Sequence, residues 1–141
     1  MDIKLKTNSE DKILNMNKIE LLDDNSAYKM YLDIYSRGFS VTKEFYIELI
    51  QMDKFIKEIE QMNKTLKGLA LMKPLYEEEY IEFNCDKCGH INVKGEIFEH
   101  SEISQHLKFE FVTDQTCLPD FINDLKKCIT TQSSGPNPPL D

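Results

Sequence analysis

Hydrophobic residues recur along this chain at two spacings, and the alternation between those spacings sets the expected order of elements. In residues 28–35, YKMYLDIY, the side chains Tyr28, Met30, Leu32 and Ile34 fall on one face at period two. That is the pattern of a half-buried strand. A preceding strand is expected near Ile13 to Leu22, joined to it by the run DDNS from Asp23 to Ser26, whose side chains favour turns. Gly38 marks the next turn. After it, Phe45, Ile47 and Leu49 alternate like a strand, while Met52, Phe55, Ile56, Ile59 and Met62 follow i, i+3, i+4, i+7 spacing, so the strand gives way to an amphipathic helix near Ile50.

Gly68 opens a short strand, Leu69 to Met72, which Pro74 ends. Beyond the acidic loop Glu77 to Glu79, the residues Ile81, Phe83 and Cys85 alternate with Tyr80, Glu82 and Asn84. The run DKCG then turns the chain, and Ile91, Val93 and Ile97 carry a returning strand in which Gly95 is expected to form a bulge. Leu107, Phe109 and Phe111 make the last clear strand. The segment TDQTCLP leads into a helix near Pro119, capped by Thr116 or Asp114, with Leu118, Phe121, Ile122, Leu125 and Ile129 as its apolar stripe. Strands, a helix, more strands and a closing helix predict an α+β fold: a curved, mainly antiparallel sheet of about six to seven strands with two packed helices.

With 141 residues, the chain fits one domain. We expect residues 1–130 to form that domain and residues 131–141, rich in proline and almost devoid of apolar side chains, to be a flexible tail. Seventeen basic residues against twenty-five acidic ones give a net charge of -8. That charge repels phosphate backbones and anionic lipid, so neither nucleic acid nor a membrane is the expected partner, whereas a basic protein surface is. The N-terminal residues have no apolar core of a signal peptide, and no stretch approaches the roughly 20 apolar residues of a membrane span. A cytoplasmic, reducing compartment is expected, with Cys85, Cys88, Cys117 and Cys128 as thiols or metal ligands.

Cys85-Asp86-Lys87-Cys88-Gly89-His90 is the sharpest local motif, because C-x-x-C-G at a hairpin tip can aim two thiolates at one zinc ion. Four ligands are needed, and the rest would have to come from His90, His100, His106 or Cys117 by tertiary folding. The competing account places Cys85 in the core as a small hydrophobe and Cys88 in an exposed turn. A zinc-knuckle accessory or regulatory protein using Cys85 and Cys88, with His90 as a third candidate ligand, is therefore the alternative function. No cofactor is expected otherwise. Nucleophilic catalysis would have to be assembled from Cys117, Asp114 and a histidine, and no hydrolase, nucleotide-binding or metalloprotease motif is present in the sequence. We expect no enzyme.

The densest mixture of acidic and aromatic residues is Tyr76, Glu77, Glu78, Glu79, Tyr80 and Glu82. Tyrosine supplies rigid contact area and carboxylates select a basic partner, so these six are the candidate partner-binding residues. The bland alternative is a solvated sheet edge whose charges block aggregation.

The segment LKFEFVTDQTCLPDFINDL, preceded by YIEFNCDKCGHINVKGEI and MNKTLKGLALM, resembles the WapI-type immunity proteins of bacterial polymorphic toxin systems. Its most distinctive part is the strand-to-helix junction F-x-F-x-x-D-Q-T-x-L, and the likeness spans most of residues 28–129. The resemblance implies a cytoplasmic antidote that binds and neutralises the C-terminal domain of a secreted toxin, in the best-known cases a nuclease acting on tRNA. It brings no catalytic residues. For Asp114, Gln115 and Thr116 it implies a structural joint between sheet and helix.

Overall fold

The structure is a computed structural model that describes residues 2–7 and 12–134. Among these residues the chain forms β1 (Ile3–Leu5), β2 (Lys12–Leu21), β3 (Ala27–Ser36), β4 (Phe39–Glu48), α1 (Leu49–Thr65), β5 (Gly68–Met72), β6 (Tyr80–Cys85), β7 (His90–Glu99), β8 (Gln105–Asp114), a 3-10 turn (Gln115–Cys117) and α2 (Leu118–Ser134). The class is α+β as expected. The sheet is not one curved layer of six or seven strands, however, but two antiparallel four-stranded sheets, ordered β1-β2-β3-β4 and β5-β6-β7-β8.

Two features account for the difference. Helix α1 sits between β4 and β5 in sequence, and the strands on either side of it pair only within their own group. The extra strand, β1, has only three residues, too few for a periodic signal, yet both of its apolar side chains, Ile3 and Leu5, are fully buried against β2.

Alternation decides the faces of both sheets. Leu14, Met16, Tyr28, Met30, Leu32, Ile34, Phe45 and Ile47 line the inner face of the first sheet, and Ala70, Met72, Ile81, Phe83, Ile91, Val93 and Phe111 that of the second. Both faces and the apolar stripes of the helices join one hydrophobic core. Its centre is an aromatic relay in which Phe55 of α1 and Phe121 of α2 approach Phe83 of β6 with ring centroids 5.5 and 5.7 Å away. Each such ring, fully withdrawn from water, contributes about 2–3 kcal/mol.

Gly95 does not form a bulge. The register of β7 runs unbroken against β6 and β8, and a Cβ at this position would lie 2.4 Å from the Tyr80 carbonyl oxygen and 2.8 Å from the Phe109 ring. Glycine is there because a neighbouring strand and an aromatic ring need its space. The irregularity lies instead in β2, where the register shifts between Asn17 and Glu20 and Lys18 adopts φ 53°.

Asp114, rather than Thr116, makes the cap, its Oδ1 accepting from the Thr116 N–H at 2.9 Å. Helix α2 continues through Ser134, so residues 131–134, assigned to a tail above, extend the helix instead. Once a helix is nucleated, residues of intermediate propensity such as Thr131 extend it at modest cost. Residues 135–141 lie outside the described residues.

Candidate partner interface

Loop 73–79 between β5 and β6 is braced along its length onto the junction of β4 and α1. Gln51 Nε2 donates to the Lys73 carbonyl at 2.9 Å, and the Leu75 N–H donates to Glu48 Oε1 at 3.0 Å. Glu48 is the N-cap residue of α1 but makes no side-chain cap, since its carboxylate is used by the loop. Lys73 Nζ closes the turn by donating to the Glu77 carbonyl. At the crest of this fixed backbone Tyr76 is 92% exposed, and Glu77 and Glu78 are exposed beside it.

The structure divides the six residues singled out above. Glu79 turns inward to 8% exposure, where it pairs with Lys43 of β4 and accepts from the Phe98 N–H of β7 at 3.2 Å. It ties the two sheets together. Tyr80 and Glu82 lie on the outer face of β6 in cross-strand pairs: the Tyr80 hydroxyl donates to Glu96 Oε2 at 2.9 Å, and Lys94 Nζ stands 3.6 Å from Glu82. The Tyr80 hydroxyl, with help from His106, holds the Glu96 carboxyl below the usual range, and the same bond pushes the Tyr80 phenol up.

What the loop does join is a cleft of about 300 Å³ whose walls include Glu44 and Tyr46 of β4, Glu77 of the loop and Glu99 of β7. Glu44 is shared with Lys29, at 3.2 Å, and with the Tyr31 hydroxyl. Glu77, Glu78 and Glu99 make no ion pair among the described residues. Tyr46 is 44% and Tyr35 41% exposed on the outer face of the first sheet, which extends the aromatic surface away from the cleft. Glu44, Tyr46 and Glu99 were missed in the sequence. The signal was available for the tyrosines, since Tyr31, Tyr35 and Tyr46 occupy the solvent-facing half of the strand alternation, where an aromatic ring does not serve the core.

The cysteine motif is pulled apart by the pleat. Cys85 is buried in the core row of β6, and Cys88 is exposed in the turn. Asp86 Oδ1 organises that turn by accepting from the N–H groups of Cys88 and His90 at 2.8 and 3.0 Å. Burial, reinforced by Asp86, pushes the Cys85 thiol up, away from the thiolate that a metal or a nucleophilic role requires. Among the described residues no three His, Cys, Asp or Glu side chains are placed to hold one ion. Cys117 is half-buried in the 3-10 turn, with neighbouring Asp114 engaged as its cap. The Gln115 side chain covers Gly89, where a Cβ would meet its Oε1 at 3.2 Å, so the D-Q-T junction also pins the β6–β7 turn.

A family profile described as the immunity protein WapI-like family matches residues 8–131. The chain belongs to that family. No curated protein matches it. The match to the WapI-like family takes in the braced loop, the acidic cleft, β2 to β8 and most of α2, and begins after β1. No helix among the described residues is long and apolar enough to cross a membrane.

Proposed function

We propose that this WapI-like immunity protein is a stoichiometric antidote that acts in the cytoplasm, binding the C-terminal domain of a cognate secreted toxin through its acidic loop and cleft, and that it catalyses nothing. Three carboxylates without counter-ions among the described residues, Glu77, Glu78 and Glu99, are grouped with the exposed rings of Tyr76 and Tyr46 on a braced backbone, and this observation carries the proposal. An unpaired acidic cluster speeds encounter with a basic surface, and a tyrosine held in place supplies contact area at low ordering cost. The toxin class that fits is a basic domain such as a nuclease acting on tRNA, whose own substrate is an anion. The two sheets that carry the loop and cleft share one core, so the surface is preorganised and binding need not order it.

Titration of a cognate toxin domain with this chain tests the proposal. Residual toxin activity should fall linearly and reach zero at one equivalent of immunity protein. Inactivation by a small fraction of an equivalent would replace a binder with an enzyme.

A further inference from the structure

Away from the acidic cleft, the tip of the β3–β4 hairpin presents a surface of opposite character. Arg37 is the only arginine of the chain. It makes no ion pair among the described residues. Its backbone has φ 53°, at the first position of a two-residue turn that favours asparagine, aspartate or glycine, so an ordinary side chain held there is strained.

Phe39 is 70% exposed, although the alternation of β4 places it in the inward row of Val41, Phe45 and Ile47. It is a core-facing aromatic that the fold leaves uncovered. Between this tip and β8 lies a groove of about 450 Å³ with Ile34, Leu107 and Phe109 as its apolar floor and Lys108 at its rim. Its carboxylate, Glu110, accepts from Asn92 Nδ2 of β7 at 2.6 Å and keeps its charge.

We propose that the Arg37–Phe39 tip and this groove form a second contact site for the partner, taking a segment of the toxin domain that carries a carboxylate beside an apolar side chain. The proposal rests on the immunity reading above. An apolar side chain entering the groove would cover Phe39 and extend the core past the end of the first sheet. The carboxylate would meet Arg37 first, with Lys108, which stands across the ladder from Glu96, as a second and partly offset cation, in a protein of net charge -8 that would repel an acidic segment elsewhere. Arginine and aromatic side chains in a partly enclosed groove are the composition of binding hot spots, and backbone strain is often retained where a side chain is needed for function. With an acidic pole at the cleft and a basic, apolar pole at the hairpin tip, the immunity protein would recognise one arrangement of charge on its partner rather than basic proteins in general.

Binding kinetics with the cognate toxin domain test the site. Arg37→Gly removes the guanidinium while relieving the strained backbone, so folding is not at risk, and Phe39→Ala removes an exposed ring. Each should weaken affinity about tenfold or more, mostly through faster dissociation. Arg37→Glu should weaken it further.

Wild-type affinity for both Arg37→Gly and Phe39→Ala would overturn the site. If Glu77→Lys/Glu78→Lys still slows association in that case, the immunity reading survives its loss. A wild-type protein that does not bind the toxin domain overturns both.

Discussion

Tyr76-Glu77-Glu78 and Glu79-Tyr80-Ile81-Glu82 are neighbours in the chain with almost the same polar chemistry, yet the fold uses them in opposite ways. In the first stretch the side chains project from a braced loop and the carboxylates have no counter-ion among the described residues. In the second every polar side chain has a partner: Glu79 on Lys43 and the Phe98 N–H, Tyr80 on Glu96, Glu82 on Lys94. The boundary lies just before β6, where Glu79, the last loop residue, turns inward and cross-strand neighbours become available to Tyr80 and Glu82. A carboxylate on a paired strand is surrounded by side chains at ladder spacing and becomes part of the sheet. One on a loop two residues earlier keeps its field for a partner. Acidic composition therefore says little by itself; the supply of neighbours separates structural charge from charge left for recognition.

The largest effect that separates the two stretches should come from Glu79. Replacing it with alanine leaves the Lys43 ammonium partly buried without its counter-ion and the Phe98 N–H without an acceptor, a loss of about 2–4 kcal/mol. Lys43→Ala should cost less, and the double variant less than the sum of both, because the two act as a unit. Urea denaturation measures all three. A Glu79→Ala loss below about 0.5 kcal/mol would show that the residue behaves like an exposed loop carboxylate and would erase the distinction.

Next in size is the reverse experiment on the loop. Glu77→Lys/Glu78→Lys should leave the urea midpoint nearly unchanged, since neither carboxylate has a partner among the described residues. It should slow association with a basic toxin domain up to about tenfold at low salt and flatten the salt dependence, because rim charges act mainly on encounter. Glu79 has to stay out of this variant, or lost folding would be mistaken for lost binding. Unchanged association kinetics at every salt concentration would remove the loop from the interface.

Most of the fold could be read from the sequence because it depends on local periodicity. The buried rows of β3, β6 and β8, the switch from β4 into α1, and the turns at Asp23–Ser26, Gly38 and Gly89 all follow from side-chain spacing or positive-φ positions. Two sheets instead of one, the three-residue β1 and the inward turn of Glu79 depend on what lies across space. Gly95 shows the limit well, for its sequence signal as a strand glycine was correct while its cause, the approach of Tyr80 and Phe109, is tertiary. Of the six candidate interface residues, Tyr76, Glu77 and Glu78 stand as a group in the exposed loop. The acids that join them, Glu44 and Glu99, are far apart in sequence and no linear pattern would have collected them.

The smallest effect sharpens the comparison from the other side, through two tyrosines. Tyr80→Phe removes the hydrogen bond that does most to hold the Glu96 carboxyl below its ordinary value. A carboxylate whose folded pKa is depressed contributes stability that is fully present above the unfolded value, about 4.3, and is lost as pH falls through the folded value. The stability advantage of the wild type over Tyr80→Phe should therefore be steady near pH 6 and shrink on acidification below about pH 4. At the alkaline end the Tyr80 phenol is raised by the same Glu96, so the advantage persists at the unfolded value, about 10, and disappears as pH rises through the folded one. Tyr76→Phe, whose hydroxyl has no hydrogen-bond partner among the described residues, should change stability by less than about 0.5 kcal/mol. Denaturation midpoints of the three proteins across pH decide the matter. A difference between wild type and Tyr80→Phe that stays constant from acid to alkali would mean that the Tyr80–Glu96 bond does not couple to either titration, and that the ladder side chains of β6 are no more engaged than those of the loop.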